Sequence, residues 1–366
     1  MGYNMFKKLL LFFSVIILLC ILINKLNAQE TKVDDIFEGY SSEYVGGYLK
    51  PVFTSIHQGL NSNFFSNNNY KKGEWRFGLD ISGNAMMVPE SQKSFTTAIP
   101  GEWKDSKIYY LDGSGNTVYT GEKSITQPTV YGSRSTPLFS TDTLNNSSLV
   151  KTYLEGINLS NVSTLPNLQF VIGLPTQTEV RLRGFGGEGA MYYGIIINQR
   201  VDELLNLFGT DSKHSLGVNF AYQGASFEHK DTNSTRNLEI ALDMNTIAFG
   251  LNYGYNIAKN FNLYSGAQFE TLSGNLDAIY LDKSDISNNT LPNVINADVT
   301  SYTNFRALVG LSYKLAFAEF HVDGIYASQP MLTAGITFHF GSWGIEEETI
   351  TEEPKLEETK TEEVKQ

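Results

Sequence analysis

The sequence is short of most of the groups that do chemistry. It holds one cysteine, Cys20, ten prolines and only 27 basic residues against 39 acidic ones. A lone cysteine excludes an internal disulfide framework. A formal charge of −12 excludes a basic surface for nucleic acid. No HExxH, GxSxG or phosphate-loop spacing occurs, so no metal, cofactor or catalytic residue is expected and the chain reads as a non-enzyme. No apolar run approaches the ~20 residues that a spanning helix needs. Aromatic residues, in contrast, are plentiful: 20 Tyr, 23 Phe and 3 Trp, too many for a disordered chain.

The most apolar stretch is N-terminal. Lys7 and Lys8 precede fifteen residues, Leu9 to Ile23, broken only by Ser14 and Cys20 and followed by Asn27-Ala28-Gln29. A charged head, a short apolar body and a small residue at the cut predict an export signal over 1–28. Its removal takes away the only cysteine and three lysines, leaving 24 basic residues against 39 acidic, a charge of −15. If the remaining chain enters a membrane, it must do so as a closed barrel of strands.

Strand periodicity fills the body. Trp75, Phe77, Leu79, Ile81, Ala85 and Met87 alternate with Glu74, Arg76, Asp80, Ser82 and Asn84. The same period of two recurs at Leu216–Gln223, at Ile247–Asn256 and, after Ala258-Lys259-Asn260, at Phe261–Glu270. Further candidates are Asn167–Leu174, Thr178–Gly187, Gly189–Asn198, Arg236–Thr246, Asn304–Tyr313, Ala318–Ala327 and Met331–Phe340. With a small hairpin turning at 112–116, about 12–14 strands are predicted, many near the ~10 residues that cross a bilayer at a tilt. The second face of each strand is Gly, Ala, Asn, Gln, Arg and Asp, which suits a lumen; the Phe-, Tyr- and Leu-rich face suits lipid. Tyr222, Tyr253, Tyr255, Tyr313 and Tyr326 fall near strand ends, as an aromatic girdle would. The fold expected is all-β, a transmembrane antiparallel barrel over 73–341.

Before Gly73 the period changes. Val33, Phe37, Tyr40, Tyr44 and Tyr48 lie about one helical turn apart up to Pro51, and Val52, Phe53, Ile56 and Leu60 continue to Asn61-Ser62-Asn63. Two short helices are predicted within 29–72, rich in glycine and in need of a host; they form either a plug in the lumen or a lead-in beside it. Gly and Ala at 217, 221, 248, 250, 254, 266, 310 and 335 would leave room for a plug. Residues 89–166 read as loop-rich. Residues 342–366 carry nine glutamates and three lysines, a disordered solvated tail that an even-stranded barrel places at the same end as its N-terminus.

The lumen should hold the polar sites. Arg76, Arg181, Arg183 and Arg306 fall on the polar face, with Glu74, Asp80, Glu179 and Asp243 as possible partners; they either pair across strands or form a constriction for an anionic group. Glu319, His321, Asp323 and His339 share that face, and a hairpin near Gln329 is expected to bring the two histidines together. Tyr40, Tyr44 and Tyr48 would contact an apolar ligand.

The last strand, Leu332, Ala334, Ile336, Phe338 and Phe340, resembles the aromatic-ended terminal strand of bacterial outer-membrane barrels. Thr126–Gly132 and Gly173–Arg183 are similar to an uncharacterised outer-membrane family common in Bacteroidetes, itself reminiscent of FadL-like transporters of hydrophobic compounds. The resemblance implies the outer membrane of a Gram-negative bacterium, lipid and the barrel-insertion machinery as partners, and passive transport of small, including hydrophobic, compounds. A sealed structural or adhesive barrel is the alternative.

Overall fold

A computed structural model describes residues 42–64 and 72–344, apart from stretches within 99–158 and residues 188, 206, 209–211, 233–235, 283–292 and 303. The export signal, Tyr40, the 112–116 turn and the acidic tail beyond 344 lie outside the described residues.

Ten of the eleven strands of the main sheet close into an antiparallel ring. They are β1 (Glu74–Met87), β2 (Val162–Leu174), β3 (Thr178–Gly187), β4 (Ala190–Arg200), β5 (His214–Thr232), β6 (Arg236–Ala258), β7 (Phe261–Asp282), β8 (Phe305–Leu315), β9 (Ala318–Tyr326) and β10 (Met331–Gly344). Neighbours in sequence pair, and β1 pairs with both β2 and β10, so no ring strand is left with a bare edge. At one end the connections are tight, as at 175–177, 259–260 and 316–317; this is called the turn end. Gln177 (φ 59°) and Ala316 (φ 53°) make two of these reversals in the left-handed region. The other, loop end carries 88–161 and 283–304, with Ser94–Ala98 paired to Ser124–Pro128 and a separate sheet of four short strands.

The apolar rows face outward and are bare. Leu251 is 52% exposed, Phe249 56%, Phe269 57% and Leu332 56%, with no second sheet over them. The inward row of β1, from Gly78 to Met86, is buried throughout. Exposed apolar residues are normal when scattered, but a continuous belt around a closed ring is a lipid-facing surface.

The strand count is ten, below the 12–14 predicted, and the hydrophobic pattern explains the excess. Arg236–Thr246 and Ile247–Asn256 are one strand, β6, whose polarity inverts near Thr246. Below that point Ile247, Phe249 and Leu251 point outward. Above it Ile240 and Met244 point inward, with Glu239 and Asp243 outside. The pleat is uninterrupted; only the solvent has changed from lipid to water. The strands that flank 112–116, Tyr109–Leu111 and Thr117–Tyr119, pair in the four-stranded sheet rather than in the ring, so they add nothing to its count.

Among the described residues one α-helix, α1 (Ser42–Leu60), joins the two predicted helical runs from Tyr44 to Leu60 and continues through Pro51; Val33, Phe37 and Tyr40 lie outside the described residues. Proline removes the helical hydrogen bond to the Gly47 carbonyl, and contacts from outside the helix hold it around that break: the Val130 N–H donates to the Tyr48 carbonyl at 3.2 Å, and Gln329 Nε2, with Ser55 Oγ, donates to the Pro51 carbonyl at 2.9 and 3.0 Å. The first half of α1 sits at the loop end, where Tyr44, Val45 and Tyr48 pack in a buried cluster with Ile240, Met244, Leu276, Ile295 and Val130. Gly47 passes so close to the Phe95 ring that no side chain would fit between them. The second half descends into the lumen, where Gly59 leaves no room for a Cβ beside Leu165. Past residue 64 the chain reaches the turn end, where the Gly73 N–H bonds the Pro175 carbonyl. Ser42 therefore lies at the loop end and Gly73 at the turn end, and α1 runs lengthwise down the bore from the first of these; the N-terminus and tail, expected to share an end, lie outside the described residues.

Beside Gly310 and Gly335 the predicted room for a helix is taken by the wall itself. A Cβ on Gly310 would meet the Tyr264 ring, and one on Gly335 would meet Ser82 and His321.

Two measurements test this architecture. Leu251→Arg puts a charge near the middle of the lipid belt and should lower the free energy of unfolding from vesicles by about 2–4 kcal/mol. At the turn end, Asp202 accepts hydrogen bonds from Arg200 Nε (2.9 Å) and the Leu216 N–H (3.0 Å). Burial pushes the Asp202 carboxyl up, but these hydrogen bonds outweigh it and hold it below the usual range. A depressed carboxylate contributes its stability in full above the ordinary value, near about 3.9, and loses it as pH falls through the lower folded value. Exchange of the Leu216 amide should therefore accelerate below about pH 4, and Asp202→Asn should abolish that acid response.

Candidate functional site

The densest polar arrangement in the molecule surrounds the lower end of α1. A helix leaves its last carbonyls without helical partners, and here they point into the lumen with Asn61, Ser62 and Asn63, the last turning the chain at φ 55°. Three wall arginines meet them. Arg306, on β8, donates to the carbonyls of Gln58 (3.2 Å) and Asn61 (2.8 Å) and pairs with Glu270 at 2.8 Å. Arg183, on β3, donates to the carbonyls of Leu60 and Ser62 and to Gln223 and Gln169. Arg181 pairs with Glu179 at 2.7 Å and reaches the Asn63 carbonyl at 3.4 Å.

A second knot holds Asn63. Its amide donates to Asp80 Oδ1 at 2.6 Å and to Ser82 at 2.7 Å, while Gln169 and Thr337 donate to the same carboxylate and His321 Nε2 lies 2.9 Å from it. Asn84 and Asn167 donate to Ser62 Oγ, and Asn61 donates to Thr246. A helix end bound by cations and amides is electrostatically sound, because its carbonyls carry the negative end of the helix dipole.

Arg181, Arg183 and Arg306 converge on this site as the polar-face reading expects, with His321 beside them. Arg76 lies nearer the turn end, 3.7 Å from Glu179. Of the anticipated carboxylates, Glu179 is a partner; Asp80 serves His321 and Asn63 instead, and Asp243 faces outside. The partner of Arg306 is Glu270, whose inward position the alternation shows but whose pairing depends on how β7 and β8 align.

The two histidines do not meet. His321 stands opposite Gly335, four positions along β10 from His339, about 13 Å at strand rise. His339 Nε2 lies 3.3 Å from Glu319. Among the described residues no three ligating side chains are grouped to hold a metal. Tyr44 and Tyr48 are 3% and 1% exposed, packed at the loop end with Phe95 against Tyr44 rather than lining an open lumen. Gln169, Gln223 and the carbonyls of 58–63 complete the site. No side-chain motif marks those carbonyls; only the helix stop at Asn61-Ser62-Asn63 points to them.

Both members of the Arg306–Glu270 pair are fully buried. Glu270→Gln leaves an uncompensated buried cation and should cost about 3–5 kcal/mol, whereas Glu270→Gln with Arg306→Met should cost less than that single change; denaturant unfolding of the four corners of the cycle checks it.

The chain is similar to several solved barrels at low identity. These include the outer-membrane protease OmpT of Escherichia coli (10% identity, 73% of this chain and 96% of that one, TM-score 0.34). They also include the translocator domain of the autotransporter NalP of Neisseria meningitidis (7%, 78% and 92%, TM-score 0.28) and a FadL homologue of Pseudomonas aeruginosa (8%, 82% and 93%, TM-score 0.20). No curated protein matches the sequence. One family model spans residues 6–340, and the chain belongs to that family of unknown function, DUF6588.

Proposed function

We propose that the protein is an outer-membrane channel that passes small compounds passively, with α1 as the plug that closes it. The observation that carries this reading is the contrast between the two faces of one ring: a bare apolar belt outside and, inside, charged and amide side chains that hold a helix mainly by hydrogen bonds. Each neutral bond is worth about 0.5–1.5 kcal/mol net and each from an arginine about 1.5–3 kcal/mol, since water can replace the partner, so the luminal end of α1 is a stopper that solvent or solute can displace rather than a welded one. In this orientation the loop end faces outward from the cell and the turn end faces the periplasm, as in barrels with long outer loops. The polar lumen favours polar solutes over the hydrophobic ones that the tyrosines would suit. No catalytic group takes part.

One observation favours the rival reading of a sealed scaffold or adhesin: the first half of α1 lies in an apolar cluster at the loop end, which water does not readily open. Conductance in planar bilayers separates the two. A low conductance in the full chain that rises when residues 42–63 are deleted supports a plugged channel; no current in either form supports the scaffold. Recovery in the outer-membrane fraction, with a compact band before boiling, checks the location.

A further inference from the structure

Every luminal arginine but one has a carboxylate. Arg306 has Glu270 at 2.8 Å, Arg181 has Glu179 at 2.7 Å and Arg76 has Glu179 at 3.7 Å. Arg183 is 4% exposed, and among the described residues no carboxylate lies within ion-pair distance of it. Its partners are neutral: the carbonyls of Leu60 and Ser62, the amide oxygens of Gln169 and Gln223, and the Phe64 ring, 5.5 Å away. Among the described residues its Nε has no partner. A buried guanidinium whose direct partners are all dipoles is a costly arrangement; the Asp80 carboxylate acts on it only at a distance, across the Gln169 amide that bonds both, and the partial charge at the end of α1 meets it directly.

We propose that Arg183 is a recognition site for small anionic solutes, carboxylates or phosphates, and that an anion binding there takes the place of the α1 carbonyls and frees the helix end. The proposal rests on the plugged-channel reading and names the solute class and the trigger. A carboxylate or phosphate offers a full charge and two oxygens in the plane of the guanidinium fork, which two helix carbonyls cannot match. Taking up the anion breaks the bonds to the Leu60 and Ser62 carbonyls and loosens the segment that Asn84, Asn167 and Arg306 still hold. Between Arg183 and the turn end the wall carries further polar groups without partners. Asn198 and Asn219 lie four positions nearer that end than Gly194 and Gln223, the residues level with Arg183 on β4 and β5. With Asn262, they carry buried polar atoms that no described group satisfies, as befits a wetted passage.

The test follows hydrogen exchange of residues 58–63 in the full chain reconstituted in vesicles, with inorganic phosphate against chloride at equal ionic strength. Phosphate should raise exchange severalfold in the wild type. Arg183→Gln should exchange fast already and ignore phosphate, with Arg183→Lys between the two. Exchange in the wild type that is indifferent to phosphate overturns the proposal without recourse to any variant, as does a phosphate response that survives in Arg183→Gln. Bilayer currents on the same samples keep the readings apart. Current on deleting 42–63 without a phosphate effect leaves the channel and sinks the anion site; a phosphate effect without current leaves an anion-released helix and sinks the channel.

Discussion

Closure is the constraint from which the rest follows. A strand surrounded by lipid has no water to satisfy its backbone, so each N–H and carbonyl must find a neighbouring strand. The pairing of β1 with β10 supplies the last of these, running from Glu74 opposite Gly344 to Met86 opposite Met331 with one irregularity at Phe77/Gly78. Once the ring is shut, the pleat sends alternate side chains to two different solvents. A lumen narrow enough to be dry in part then forces its own chemistry, since charges placed there need partners from across the bore.

The helix meets that demand in two ways along its length. At the loop end, β6 and β7 rise above the lipid and turn apolar residues inward, and Tyr44, Val45 and Tyr48 complete an ordinary hydrophobic core. Lower down, the same helix changes to Thr54, Ser55, His57 and Gln58, all buried, and the wall changes to Arg, Asn and Gln. The join falls below Pro51, since Phe53 still belongs to the apolar cluster, and the inversion near Thr246 lies level with Asn61, which bonds Thr246. One part of α1 is anchored by exclusion of water; the other is held by bonds that solvent could replace.

Much of this was legible. Period-two alternation in Trp75–Met87 names the lipid and luminal faces correctly, and the same parity puts Arg181, Arg183, Arg306 and His321 inside. Parity could not say which charges meet, because partners are set by the stagger between strands: it offered Asp243, which lies outside, and missed the pairing of Arg306 with Glu270. It split β6 in two because an inversion of polarity reads as a turn when the change of solvent is unknown. Pro51 reads as a helix stop because the side chain that supports the helix there, Gln329, lies 278 residues away. The histidines misled for a related reason: a hairpin brings two strands together but leaves open how far along them two residues sit.

The lengthwise path of the chain has a consequence for assembly. Between Ser42 and Phe64 the polypeptide runs along the bore of the ring that its own later strands complete. Either the sheet wraps about α1 as about a mandrel, and the last seam shuts with the leader already inside, or a free end is drawn through a finished hoop. The seam between first and last strands thus does more than seal a wall: it decides whether leader and hoop become a threaded object, a fact of order and history that no inventory of contacts in the finished molecule records.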